Sequence, residues 1–219
     1  MNFFKKLLLI LAIFSNGNAY GATETPKSFV ELSYEFAETS GSFADTYKLV
    51  SVAYAKKWDV NEKWGQLYYK FTYSYSLFDM ESGTKKLGII RLDGSESTKN
   101  KAHNLSFGLR KVMEMNSFFS FYIEFAVGLS LLSVSNESGL DNFNNPINVE
   151  LDSEIEGFAD FGLGIKLDVS PKLFITPHFI IRRVSARISA VDVNNSSNIY
   201  EYDTYFILSP GIGISYVFN

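Results

Sequence analysis

Residues 119–131 read Phe119-Ser120-Phe121-Tyr122-Ile123-Glu124-Phe125-Ala126-Val127-Gly128-Leu129-Ser130-Leu131. Odd positions are all large and apolar, whereas even positions are small, polar or charged apart from Tyr122. Successive side chains of a strand point to opposite faces, so this segment has one oily face and one that carries Glu124 and the serines. A helix would scatter the same apolar groups around its circumference. The segment is a strand with two chemically different sides.

The same alternation recurs along the chain. Over 65–78, Leu67, Tyr69, Phe71, Tyr73, Tyr75 and Leu77 oppose Gln66, Tyr68, Lys70, Thr72, Ser74 and Ser76. Val30, Leu32, Tyr34 and Phe36 oppose Glu31, Ser33 and Glu35; Val50, Val52 and Tyr54 oppose Ser51, Ala53 and Ala55. Leu105, Phe107 and Leu109 oppose Asn104, Ser106, Gly108 and Arg110, and Phe161, Leu163, Ile165 and Leu167 oppose Asp160, Gly162, Gly164 and Lys166. Leu173, Ile175, Phe179 and Ile181 oppose Thr176, His178 and Arg182, and Phe206, Leu208, Ile212, Ile214, Tyr216 and Phe218 oppose Ser209, Gly211, Gly213 and Ser215. The reading gives eight strands of about ten residues or more, long enough to cross a bilayer at a tilt and longer than the usual five or six of a soluble sandwich. Connections alternate as well: long near 37–46, 79–101, 134–150 and 185–199, tight near 59–63, 114–117 and 170–172. That alternation belongs to a membrane-spanning antiparallel up-and-down barrel.

Hydrocarbon offers backbone N–H and C=O groups no partner, so strands cross it only in a sheet that closes on itself. An even strand number puts both termini on one side, with the four long connections on the other. The run 87–92 inside the second long connection is read as a hairpin above the membrane, with a ten-stranded barrel as the minor alternative.

The chain of 219 residues has a formal net charge of −4, no Cys, two His and five Pro. Zero Cys excludes disulfides and thiol nucleophiles, and two His leave little for a metal centre. At the N-terminus Lys5 and Lys6 precede the apolar run 7–14, followed by Gly17-Asn18-Ala19, the pattern of a cleaved export signal over 1–19 with Ala22 as second cleavage choice. Eight apolar residues span only ~12 Å as a helix, too short for an anchor. Losing Lys5 and Lys6 moves the net charge from −4 to −6, against nucleic-acid binding. Residues 20–219 form the barrel domain.

The final strand ends Ile212-Gly213-Ile214-Ser215-Tyr216-Val217-Phe218-Asn219. With this ending, the chain resembles the eight-stranded outer-membrane β-barrels of Gram-negative bacteria, the group of the OmpA-type transmembrane domain and the opacity-type surface proteins. The resemblance implies that Ile212, Ile214, Tyr216 and Phe218 are the signal read by the barrel-assembly machinery, one residue early because of Asn219. It also implies an outer-membrane location and lipopolysaccharide as a neighbour.

An eight-stranded barrel is just wide enough for side chains to fill. Lys70, Arg110, Glu124, Glu156, Asp160, Lys166, His178 and Arg182 fall on inward positions and are read as a structural ion network that plugs the lumen. Counting from the third tight turn, Glu156 is expected beside Arg182 and Asp160 beside His178. Trp58, Trp64, Phe118 and Phe119 are expected in an inner aromatic girdle, and Tyr47, Phe78, Tyr200 and Tyr202 in an outer one. Pro177 and Pro210 remove ladder donors, so a bulge or bend is expected there. Lys48 and Arg183, basic and outward near the loop ends, are placed to meet lipopolysaccharide phosphates.

A Ser-His-acid centre is not supported: alternation puts His103 and Ser106 on opposite faces, and the His-x-Ser pair of barrel lipid A deacylases is absent at His178. Asp141, Asn142, Asn144 and Asn145 lack the spacing of a calcium loop. The leading expectation is therefore a non-enzymatic surface barrel without cofactor or metal, displaying four loops for adhesion, host contact or envelope integrity. A narrow channel or small-solute conduit is the alternative.

Overall fold

The computed structural model describes residues 26–41, 44–58, 65–80, 83–87, 90–95, 98–133, 135–140, 144, 146–151, 155–185, 189–192, 199–201 and 205–218. The expected signal over 1–19, Ala22, Trp64, Asp141, Asn142, Asn145, Tyr202 and Asn219 lie outside these residues.

Fourteen strands follow in chain order: β1 (Ser28–Gly41), β2 (Ala44–Trp58), β3 (Gln66–Met80), β4 (Gly83–Leu87), β5 (Ile90–Ser95), β6 (Thr98–Glu114), β7 (Phe119–Ser133), β8 (Glu137–Leu140), β9 (Pro146–Leu151), β10 (Ile155–Ser170), β11 (Leu173–Ser185), β12 (Ser189–Asp192), β13 (Ile199–Glu201) and β14 (Tyr205–Phe218). The eight long ones close into an antiparallel barrel in the order β1-β14-β11-β10-β7-β6-β3-β2. The first and last strands pair from Ser28↔Phe218 to Glu35↔Gly211, leaving no free edge. The remaining six form a second sheet at the long-connection end, in the order β13-β12-β9-β8-β5-β4. The 87–92 run belongs to that sheet as the β4–β5 hairpin, with Leu87 paired to Ile90, and adds nothing to the barrel.

Parity decides the two faces of the wall. On β7, Phe121, Ile123, Phe125, Val127, Leu129 and Leu131 are exposed, whereas Tyr122, Ala126 and Ser130 are buried. Exposed outward apolar groups also line β1, β2, β3, β6, β10, β11 and β14, so an oily belt surrounds a polar interior. Along β3 the outward face stays apolar from Leu67 to Tyr75. That is ~27 Å of strand, or roughly 20 Å along the membrane normal at a ~40° tilt, close to the height of the apolar band of spanning barrels.

Two local expectations are corrected. Tyr47 and Phe78 are 0% and 4% exposed and point into the lumen, because each shares the parity of inward Ser51 or Ser76. They stack at 5.1 Å inside the barrel and are no outer girdle. Trp58 does face outward at the tight-turn end. No bulge accompanies the prolines: β11 and β14 pair without a shift from Leu173↔Tyr216 to Val184↔Tyr205. Pro177 instead sits where the β10–β11 ladder is interrupted between Gly164↔His178 and Leu167↔Ile175, and Pro210 lies just past the end of the β1–β14 pairing. Each thus faces a missing rung on one side.

Candidate functional site

The inward faces of the eight strands stack in levels. At the tight-turn end, Phe29, Ala55, Tyr68, Val112, Tyr122, Phe174 and Val217 form an apolar seal. Phe29 meets Tyr68 and Phe174 edge-on at 5.4 and 5.0 Å, arrangements that the ring quadrupoles favour.

Directly above lies the charged hub. Glu31, on β1, accepts from both terminal nitrogens of Arg110 at 2.7 and 2.8 Å, from Lys70 Nζ at 2.9 Å, and from the hydroxyls of Thr176 and Ser215 at 3.0 and 3.2 Å. Glu124 accepts from Arg110 Nε at 2.7 Å and from Lys70 Nζ at 3.0 Å. Two carboxylates and two cations thus neutralise one another in a cross-braced square, and the Arg110 guanidinium also stacks over the Tyr122 ring at 4.3 Å. Removing any corner would strand a buried charge.

Nearer the loop end, Asp160 takes Nε and one terminal nitrogen of Arg182, both at 2.7 Å, while the other terminal nitrogen donates to the Tyr47 hydroxyl at 2.8 Å. Phe158 lies against the same guanidinium at 4.5 Å. This corrects the expected pairing. The two-residue turn Pro171–Lys172 sets Asp160 opposite Arg182 and Gly164 opposite His178, four residues from the expected pairing. The polar contacts of Arg182 go to Asp160 and Tyr47 and not to Glu156, which is nonetheless buried on the inward face of β10. His178 uses Nδ1 on the Thr176 carbonyl at 2.9 Å and turns Nε2 toward Glu35 at 3.8 Å. Nε2 has no hydrogen-bond partner there. Lys166 stands apart from the hub near the tight turns, paired with Asp168 at 2.6 Å and stacked over Phe174 at 5.1 Å.

Of the expected ion set, the structure joins Lys70, Arg110 and Glu124 in one cluster and Asp160 with Arg182 in a second. The expected set lacks three inward acids: Glu31, which completes the first cluster, Glu35, which faces His178, and Asp168, which pairs with Lys166. Glu31 and Glu35 share the parity of Ser33 opposite Leu32, Tyr34 and Phe36, so the alternation already quoted carried the signal. The voids that remain among these groups are about 30 Å³ beside Glu35 and His178 and about 10 Å³ in the apolar seal. The larger has room for about two water molecules.

Among the outward candidates, Lys48 is paired with Asp79 at 2.8 Å, and Arg183 is exposed. Ile212, Ile214, Tyr216 and Phe218 all face outward on β14. His103 faces outward and Ser106 inward, so they form no pair. Among the described residues no group of three or more His, Cys, Asp or Glu is placed to hold a metal.

No family model matches the chain, and no curated protein matches it. Similar solved structures include a major outer membrane protein from Thermus thermophilus (10% identity, 87% of this chain and 99% of that one, TM-score 0.50). Neisserial surface protein A is similar at 10% identity over 88% and 97% of the two chains, with a TM-score of 0.49. The outer membrane protease OmpT from Escherichia coli is similar at 10% identity over 89% and 98%, also at 0.49. At such identities the likeness shows the fold alone, that of bacterial outer-membrane β-barrels. A fold does not fix a function, so function has to be argued from the site.

Proposed function

We propose that this chain is a non-enzymatic surface barrel of the bacterial outer membrane, closed to solutes and presenting its long-connection sheet for adhesion, host contact or envelope integrity. The observation that carries the reading is the Glu31–Arg110–Lys70–Glu124 square, which crosses the lumen and fills it. A barrel sealed in this way acts as a rigid anchor, and above it stands the sheet from β4 to β13. The loop sheet is the proposed surface that a partner meets, because it lies at the long-connection end, beyond the apolar belt. Tyr73 meets His103 Nδ1 at 2.8 Å on the outer wall, and among the described residues no serine hydroxyl is hydrogen-bonded to the imidazole, which supports the non-enzymatic reading.

The outward row Ile212, Ile214, Tyr216 and Phe218 on the closing strand is the proposed contact for the assembly machinery, and exposed Arg183 is a proposed contact for lipopolysaccharide phosphate. Lys48, engaged by Asp79, is the weaker of the two proposed basic contacts. The void beside Glu35 and His178 favours a second reading, a narrow conduit for protons or small ions.

Two measurements test the proposal. Planar-bilayer recordings of the purified full chain are expected to show no stable conductance, and a large steady pore would overturn the closed barrel. Replacing residues 83–95 with a Gly-Ser linker is expected to abolish binding to host cells while heat-modifiable gel mobility persists; unchanged binding would overturn the role of that hairpin.

A further inference from the structure

The register lays out the outer wall over β2, β3, β6 and β7 in rows. One row is Lys48, Leu77, Lys101 and Ser133; the next toward the membrane centre is Val50, Tyr75, His103 and Leu131; then come Val52, Tyr73, Leu105 and Leu129. His103 therefore sits in the last apolar row, immediately below the first basic one.

A polar side chain there needs an explanation. The Tyr73 hydroxyl lies 2.8 Å from His103 Nδ1, and the Tyr75 ring lies 5.2 Å from the imidazole. With Tyr73 donating, the ring hydrogen is on Nε2, and no group among the described residues accepts it. An N–H left without an acceptor on a wall that faces hydrocarbon is costly. Above it, Lys101 and Lys99 are exposed and have no carboxylate partner among the described residues, because the acid nearby, Asp79, is engaged with Lys48. Below it, a shallow apolar groove of about 660 Å³ runs between Val52, Phe71, Leu105, Phe107 and Val127. An imidazole nitrogen, a donor when Tyr73 donates to Nδ1 or when the ring is protonated beside a phosphate, and two ammonium groups sit over an oily groove, which is the complement of a phosphate joined to acyl chains.

We propose that this face binds a phosphorylated, acylated lipid of the loop-side leaflet. Lys99, Lys101 and His103 Nε2–H take its phosphate, and the groove holds an acyl chain. The site rests on the reading that the apolar belt faces lipid, but it uses residues distinct from Arg183.

Native mass spectrometry of the folded full chain tests it, with equal amounts of lipid A, phosphatidylglycerol and phosphatidylcholine offered in detergent. Lipid A and phosphatidylglycerol adducts are expected to exceed phosphatidylcholine adducts by roughly thirtyfold, the ratio given by two interfacial lysines. The variant Lys99→Ala/Lys101→Ala/His103→Ala is expected to erase that preference, and Lys172→Ala, exposed in the tight turn at the opposite end of the barrel, to keep it. Should the triple variant fail to fold, Lys101→Glu alone, at an exposed position, is expected to reduce the preference severalfold. Equal retention of phosphatidylcholine, or an unchanged preference in the variants, overturns the site, as does full displacement of lipid by millimolar inorganic phosphate, which would show a bare anion site. Heat-modifiable mobility read on each sample separates the two levels. A wild-type chain that never shows it overturns the barrel and the site together, whereas a folded barrel without preference overturns the site only.

Discussion

Glu31 and Arg110 stand on β1 and β6, strands that do not pair, and their bidentate ion pair at 2.7 and 2.8 Å reaches across the lumen. A wall-to-wall tie of this kind does two jobs. It spans the lumen from wall to wall, and it makes the closed barrel the state in which every hub charge is satisfied.

Glu31→Ala is expected to destabilise the barrel by about 3–5 kcal/mol, because Arg110 and Lys70 lose an acceptor while staying buried. Urea unfolding in lipid vesicles, followed by tryptophan fluorescence, measures it. Lys48→Ala, which breaks an exposed pair, is expected to leave the midpoint nearly unchanged.

Asp160 and Arg182 are expected to behave as one unit. Arg182→Met strands the carboxylate and Asp160→Leu strands the guanidinium, each costing several kcal/mol, but the double variant removes both charges and recovers much of the loss. A double-mutant cycle by the same unfolding assay reads the coupling. Additive losses would show that the pair is incidental.

Gly164 and Gly157 lie on the same strand and make a matched pair. A Cβ at Gly164 would run into the Tyr122 ring, whereas one at Gly157 meets nothing within 4 Å. Gly164→Ala is expected to cost about 1–3 kcal/mol and Gly157→Ala less than about 0.5 kcal/mol.

Charge on the outer wall should be tolerated according to depth. Leu129→Lys falls in the apolar belt and is expected to cost ~2–4 kcal/mol, while Ser133→Lys, in the row of Lys101, is expected to cost ~0–1 kcal/mol. Equal costs in lipid vesicles would contradict the placement of the belt.

Much of this architecture was legible because one face of each strand must be apolar and the other must fill a narrow lumen. The alternation in 119–131 therefore carried into the structure residue by residue. Where reading failed, the reasons differ. The chemistry of Tyr47 and Phe78 suits a girdle, but their parity turns them inward. The partners of Arg182 and His178 were missed because register depends on the turn at Pro171–Lys172, and a shift along the strand leaves parity intact while changing every contact. Glu31 was visible as an inward acid, but its bond to Arg110 joins strands that are not neighbours, which no cross-strand count supplies. The loop-end sheet had no comparable signal, since its strands are three to six residues long.

The central claim is that alternate side chains of one wall face lipid and lumen. The chain contains no Cys, so single cysteines at each position from 119 to 131 can be spin-labelled without background. Electron paramagnetic resonance of the labelled barrels in vesicles would measure accessibility to oxygen, which concentrates in hydrocarbon, against a water-soluble nickel complex. Oxygen accessibility is expected to peak at 121, 123, 125, 127, 129 and 131 and to fall at each even position between them. A helical period near 3.6, or nickel accessibility equal on both parities, would contradict it.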